Sequence, residues 1–388
     1  MSKKISLISI AYLLIYFFPT CLMILFILFG FRNLGVEIAL LYSFIAVTTQ
    51  IFSSNMRNLI VSRNNDILAQ KAIKFRILLL LPIFLISIIF LINILEVNNI
   101  VILILYSLIF ILFWIFELIL AVCEIKNHIK KINSFIIISA VFGLFTLLAI
   151  GFELNQLLNL SAFMYLIYLS FSSYEIINIK SKFFDIKGDY LGILKINVLS
   201  KSFISSFSFV FSNFIWRSLL VFFLGKVNAS VYIFAFAIAS LPGSIINNFA
   251  GLIFLKNKFN LKIIYKYFYF LSLFIIVIIT LNLDSILDFA QIKYLRIYFE
   301  IIFISLIGTF LMCIGMFKRI LMIKNIINKN DKVFEIDFFY GIIICLIIPF
   351  LFYIHQDYLK FAYLISSLFS FLFYSLGYKF FYGDKSNK

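Results

Sequence analysis

Apolar runs of about twenty residues recur along the whole chain, and this repetition constrains the fold more than any other feature. A helix needs about 20 residues to cross the ~30 Å hydrocarbon core of a bilayer. Twelve runs of that order fall at roughly 5–30, 35–56, 76–95, 99–123, 133–152, 157–178, 201–224, 229–254, 263–282, 297–317, 334–354 and 357–378. With 64% hydrophobic and 13% charged residues, the chain is too apolar for a water-soluble globule. In lipid, backbone N–H and C=O groups have no water to bond, so spans of this length must be helical. The expectation is an all-α polytopic membrane protein of about twelve transmembrane helices. The first run is too long and too continuous with the rest to be a cleaved signal peptide.

Positive charge sets the orientation. Of the 33 Lys and Arg residues, 27 lie at the N-terminus, at the C-terminus and in every second gap. The intervening gaps hold only Arg32, Lys226, Lys293, Arg296 and Lys360, and Arg217 stands inside an apolar run. Cationic loops are retained in the cytoplasm, so both termini are expected there. The same topology accounts for the +16 net charge, together with attraction to anionic lipid, and nucleic acid is not an expected partner. The longer gaps at 57–75 and 179–200 mix charge with Ile60, Val61, Ile67 and Leu68 and suit helices lying on the inner surface.

A shift of 190 residues lays 39–58 on 229–248. It matches Ala39 with Ala229, Tyr42 with Tyr232, Phe44 with Phe234, Ser54 with Ser244 and Asn58 with Asn248. It also superposes the second span on the eighth, which the charge pattern gives the same direction. The chain therefore divides into two six-helix lobes, residues 1–192 and 193–388, parallel repeats with a path for substrate between them.

Polar residues inside spans are costly and mark sites or structural pairs. Arg217 in FSNFIWRSLL either snorkels to the outer interface beside Trp216 or faces a cavity and binds an anion, with Asn213 one helical turn earlier. Glu117 is a Lys-paired structural group, a proton carrier or a substrate contact. Gln50, Asn55 and Arg57 line the inner part of the second span, with Asn248 at the matching place in the eighth. Glu300 suits an interfacial ion pair with Arg296. All four prolines lie within spans, and Pro19 and the Pro242-Gly243 pair are candidate hinges or simply packing features.

Catalysis finds little support. The first three outer gaps carry single acids, Glu37, Glu96 and Glu153, and the pair Asp284 and Asp288 comes late. The histidines His128 and His355 fall on opposite sides, and there is no phosphate-binding Gly-rich loop. Cys21, Cys123, Cys313 and Cys345 have no metal or redox spacing. Neither a metal, nor a cofactor, nor a catalytic residue is expected.

The runs LGVEIALLYSFIAVTTQIFSSNMRNLIVSRNNDILAQ (34–70) and SSFSFVFSNFIWRSLLVFFLGKVNASVYIFAFAIASLPGSIINNFAG (205–251) resemble the polysaccharide-transporter branch of the multidrug/oligosaccharidyl-lipid/polysaccharide exporters, the O-antigen flippase type. Gly35, Tyr42 and the polar end Asn55-Met56-Arg57-Asn58 carry the first part of the likeness. Arg217, Gly225, Tyr232 and Ala235-Phe236-Ala237 carry the second. The chain is poorer in glycine and shorter in its loops than that family. The resemblance implies a flippase of the bacterial inner membrane. Its substrate would be an undecaprenyl-diphosphate-linked oligosaccharide, and its possible partners a polysaccharide polymerase and a chain-length regulator. The alternatives are a cation-coupled multidrug-type exporter, with Glu117 as its leading residue, or a membrane glycan polymerase or glycosyltransferase.

Overall fold

A computed structural model describes residues 3–52, 56–63, 66–94, 99–126, 128–152, 154–178, 201–245, 299–325 and 332–382. Among these every regular element is a helix. In order they are α1 (Lys3–Leu28), α2 (Arg32–Ile51), the short α3 (Met56–Arg63), α4 (Asp66–Ile94), α5 (Ile100–Lys126), α6 (Ile129–Gly151) and α7 (Asn155–Asn178). These are followed by α8 (Lys201–Ile245), α9 (Phe299–Asn325), α10 (Lys332–Ile354), a 3-10 turn (Gln356–Phe361) and α11 (Ala362–Tyr382). Nine of the described helices are long and apolar enough to cross a membrane, counting α8 once and the last turn with α11. The expected ninth span, 263–282, lies outside the described residues.

The 45-residue α8 covers the expected seventh and eighth spans. At ~1.5 Å per residue it would be about twice as long as a bilayer is thick if it ran straight. Gly225 divides it with φ 72° and ψ 163°, a backbone conformation open to glycine and strained for residues with a Cβ. The interruption falls there, while α1 runs through Pro19 and α8 through Pro242.

The chain forms two compact units: Met1–Leu25 with Glu37–Val210, and Phe26–Val36 with Phe211–Lys388. The connector at 179–200, the expected boundary, lies outside the described residues. At the centre of the first unit is α5, packed on α3, α4, α6 and α7. Its buried residues come from all sides, from Ile102 to Glu124, as an apolar helix in a core requires. On α4, by contrast, Leu78, Leu81, Leu85, Ile89 and Ile92 form one exposed apolar stripe at helical spacing, suited to lipid.

In the second unit, α9 and α11 make the most extensive helix pairing. Small residues let the two backbones approach. A Cβ on Gly308 would lie 3.1 Å from Leu364 Cα, and one on Gly315 would lie 2.9 Å from the Ser370 carbonyl carbon. Ser366, Ser367 and Ser370 are buried on the facing side of α11. From α10, Tyr340 reaches the same helix, its hydroxyl 3.2 Å from Ser366 Oγ.

Candidate functional site

Two features dominate the first unit's polar interior. The first is built on Glu117 of α5. Tyr16 of α1 donates its hydroxyl to Glu117 Oε1 at 2.5 Å, and Arg76 of α4 donates Nη1 to Glu117 Oε2 at 3.0 Å. The same Nη1 also donates to the Trp114 carbonyl, and the Arg76 guanidinium sits over the Trp114 ring, 4.8 Å from its centroid. The second feature lies two helical turns along α5. Glu124 Oε2 is 3.6 Å from Arg57 Nη2, and the Arg57 guanidinium lies 3.3 Å from the centroid of the Tyr12 ring.

Spacing produces this arrangement. Glu117 and Glu124 are seven residues apart, so they share one face of α5. Tyr12 and Tyr16 are four apart on α1, so they too share a face. The cluster therefore sets two arginines against two carboxylates, all drawn from helices of one unit. Burial opposes the charge on Arg57, which lies on α3 outside the membrane-crossing helices. The coulombic influence of Tyr12, Tyr16, Glu124 and Glu117 outweighs that penalty and raises its pKa above the ordinary arginine value.

The second unit has an ion pair of its own. Arg319 of α9 donates Nε and Nη2 to the two oxygens of Asp337 on α10, and Tyr374 of α11 donates its hydroxyl to Asp337 Oδ1 at 2.6 Å. One acid thus ties three helices together. At the other end of these helices the exposed pair Lys360 and Glu300 is joined at 2.6 Å. Lys360 is thus a partner of Glu300; Arg296, the expected one, lies outside the described residues.

A cavity of about 70 Å³ opens beside the middle of α8. Asn213, Trp216, Arg217 and Leu220 line it from the segment before Gly225, and Ile233, Phe236, Ala237 and Ser240 from the segment after. Tyr363 of α11 completes the wall. Among the described residues of that lining, Arg217 is the one charged residue and none is a carboxylate. The rings are in mutual contact: Trp216 lies 5.4 Å from Phe236 and Phe236 lies 5.7 Å from Tyr363, centroid to centroid. Trp216 Nε1 and the Tyr363 hydroxyl are buried with no hydrogen-bond partner among the described residues. Such donors are costly in an apolar wall unless a ligand or water engages them.

The expected site residues are distributed over the two units. Arg217 and Asn213 meet at one cavity. Arg57 is committed to Glu124 and Tyr12, and Glu117 to Arg76 and Tyr16 (an arginine in place of the lysine its setting suggested). Gln50 is half-buried near the end of α2, and Asn55 and Asn248 lie outside the described residues. Pro242 is half-buried; Gly243 is buried, and a Cβ there would meet Met312 Cγ at 3.1 Å. Among the described residues no group of three or more His, Cys, Asp or Glu could hold a metal ion.

Arg76 and Arg319 are the ion-pair members that sequence reasoning missed. Both look like cytoplasmic loop cations, yet both are buried ion-pair members. One signal was available: the chain has 26 Lys and only 7 Arg, and three of those seven are buried against carboxylates. Arginine keeps its charge and forks onto carboxylates, so its rarity here favours such positions.

Neither a family profile nor a curated protein matches the sequence. Solved structures do share its fold. A MATE crystal structure in complex with MaL6 covers 100% of this chain and 98% of its own, with TM-score 0.58 and 13% identity. An outward-facing multidrug resistance MATE family transporter of the MOP superfamily covers 97% of this chain and 98% of its own, with TM-score 0.51 and 14% identity. A MOP superfamily transporter from Pyrococcus furiosus, described by a binding pocket of reverse polarity suggesting a different function, gives TM-score 0.51, 13% identity and coverage of 100% and 98%. The described residues thus share the all-helical fold of these MATE structures.

Proposed function

We propose that this protein is an alternating-access transporter of the bacterial inner membrane that flips a polyprenyl-diphosphate-linked oligosaccharide, a surface-polysaccharide repeat unit. Twelve helices in two six-helix lobes with cytoplasmic termini would provide the two halves that rock about the substrate. The fold shared with MATE transporters supports transport as the activity and speaks against the glycosyltransferase and polymerase readings.

One observation favours this substrate over a cationic drug: the distribution of charge among buried groups. Glu117, Glu124 and Asp337 are each met by an arginine, and a further carboxylate, Glu37, is buried in α2. The described residues lining the Arg217 cavity present a guanidinium, neutral donors and aromatic rings, with no carboxylate among them. An exporter of amphipathic cations needs a carboxylate facing its cargo, whereas a diphosphate-linked glycan needs basic and hydroxyl-matching donors. Pocket polarity is also the property by which the Pyrococcus furiosus transporter is set apart within the superfamily.

The test is reconstitution. Vesicles containing the purified protein should move a fluorescent undecaprenyl-diphosphate oligosaccharide between leaflets and leave ethidium-type cations undisturbed. Cation export coupled to a proton gradient and lost in Glu117→Gln would establish the multidrug reading instead.

A further inference from the structure

We infer that the cavity beside the middle of α8 is a subsite for one uncharged, N-acetylated sugar ring of the transported glycan. The inference rests on the transport reading and names the sugar class that the cavity selects. Arg217 has an interaction of its own within the protein, and its charge plays no part in the match.

Size comes first. At roughly 10–15 Å³ for each water position and ~30 Å³ of liquid per water, about 70 Å³ takes about 140–210 Å³ of ligand, one substituted sugar ring and not two. The apolar walls are of two kinds. Trp216, Phe236 and Tyr363 are rings in succession, against which the C–H face of a pyranose can pack. Leu220, Ile233 and Ala237 are buried aliphatic residues of the same lining. A hydroxyl set against them would lose its water without gaining a partner, whereas the methyl of an acetamido group is matched there. The polar groups suit the rest of that amide. Trp216 Nε1–H and the Tyr363 hydroxyl are buried with no partner among the described residues, and an amide carbonyl, with two lone pairs, is an acceptor for them. Ser240 donates its hydroxyl proton to the Ala237 carbonyl at 2.9 Å, which leaves its Oγ lone pairs to accept from the amide N–H. An unsubstituted hexose would use the rings and set hydroxyls against the aliphatic side. A plain hydrocarbon ligand would use both walls and leave the buried donors unmatched.

The chain has two tryptophans, Trp114 and Trp216, so Trp114→Phe leaves Trp216 as the sole indole reporter. Purified Trp114→Phe protein in lipid nanodiscs should show a saturable change in Trp216 emission with methyl N-acetylglucosaminide. The methyl glycosides of glucose and of glucuronic acid should each bind at least about tenfold more weakly, the loss expected for one unmatched polar group. Ala237→Leu, which fills the aliphatic side, should abolish the response while the melting temperature holds. If Ala237→Leu fails to fold, Tyr363→Phe, which keeps the ring and removes the hydroxyl, should weaken binding about tenfold. If Trp114→Phe fails to fold, the difference between wild-type and Trp216→Phe titrations gives the same reading. Equal binding of the glucoside or the glucuronide, undiminished binding by the folded variant, or no response to any of the three sugars overturns the inference. Vesicle flipping separates this from the parent reading. Flipping without N-acetyl-sugar binding overturns the subsite alone, and N-acetyl-sugar binding without flipping overturns the transport reading and leaves the subsite standing.

Discussion

Arg319 and Asp337 meet through two parallel hydrogen bonds, Nε to Oδ1 at 2.9 Å and Nη2 to Oδ2 at 2.8 Å, with Asp337 fully buried. Breaking a buried pair strands a charge and costs about 3–5 kcal/mol, whereas replacing both partners by apolar residues is often neutral. Asp337→Asn and Arg319→Gln should each lower the melting temperature of the purified protein clearly. Arg319→Met with Asp337→Leu should recover most of the loss. Equal destabilisation by the double variant would show that the helices need the charges themselves.

Glu117 has the same kind of partner in the first unit but also binds Tyr16. Glu117→Gln and Arg76→Gln should each destabilise, and the double variant should lose less than the sum. A coupling energy of about 0.5–3 kcal/mol is expected from a double-mutant cycle on thermal unfolding. Additive losses would mean that the 3.0 Å contact contributes nothing to stability.

The glycines of α9 differ sharply from the glycine of α6. A Cβ at position 315 would meet Ser370 backbone at 2.9 and 3.0 Å, while at Gly143 nothing lies within 4 Å. Gly315→Ala should cost about 1–3 kcal/mol through overpacking. Gly143→Ala should be neutral or stabilising by about 0.5–1 kcal/mol, because alanine is the better helix former. Melting curves of the two variants in the same detergent check the contrast.

Gly225 makes a third backbone prediction. No neighbour blocks a Cβ there, so any cost of Gly225→Ala comes from its φ of 72°. A loss of about 1–3 kcal/mol is expected in the melting curve, and Gly225→Asn should cost as much, because ψ 163° lies outside the left-handed region that asparagine tolerates. An alanine variant as stable as wild type would mean that α8 straightens without penalty.

The sequence was most informative where a physical signal is local. Apolar run length located α1, α5 and α10 within a few residues, because the bilayer sets a length that hydropathy reads directly. Arg217 and Asn213 were legible as a pair because one helical turn brings them together. The buried ion pairs were not. Arg76 pairs across 41 residues with Glu117, and Tyr16 reaches the same acid across 101. A cation at the edge of an apolar run gives the same local signal whether it enters water or folds inward onto a distant carboxylate. The Arg217 cavity depends equally on Tyr363, which no spacing links to α8.

The most direct measurement is leaflet exchange of a polyprenyl-diphosphate oligosaccharide in vesicles holding wild type, Arg217→Lys or Arg217→Ala protein. The account predicts exchange by wild type, reduced but detectable exchange by the Lys variant, which keeps the charge without the fork, and loss by the Ala variant with its melting temperature largely unchanged. Wild-type rates in a well-folded Arg217→Ala protein would contradict the role assigned to the guanidinium and to the cavity it lines.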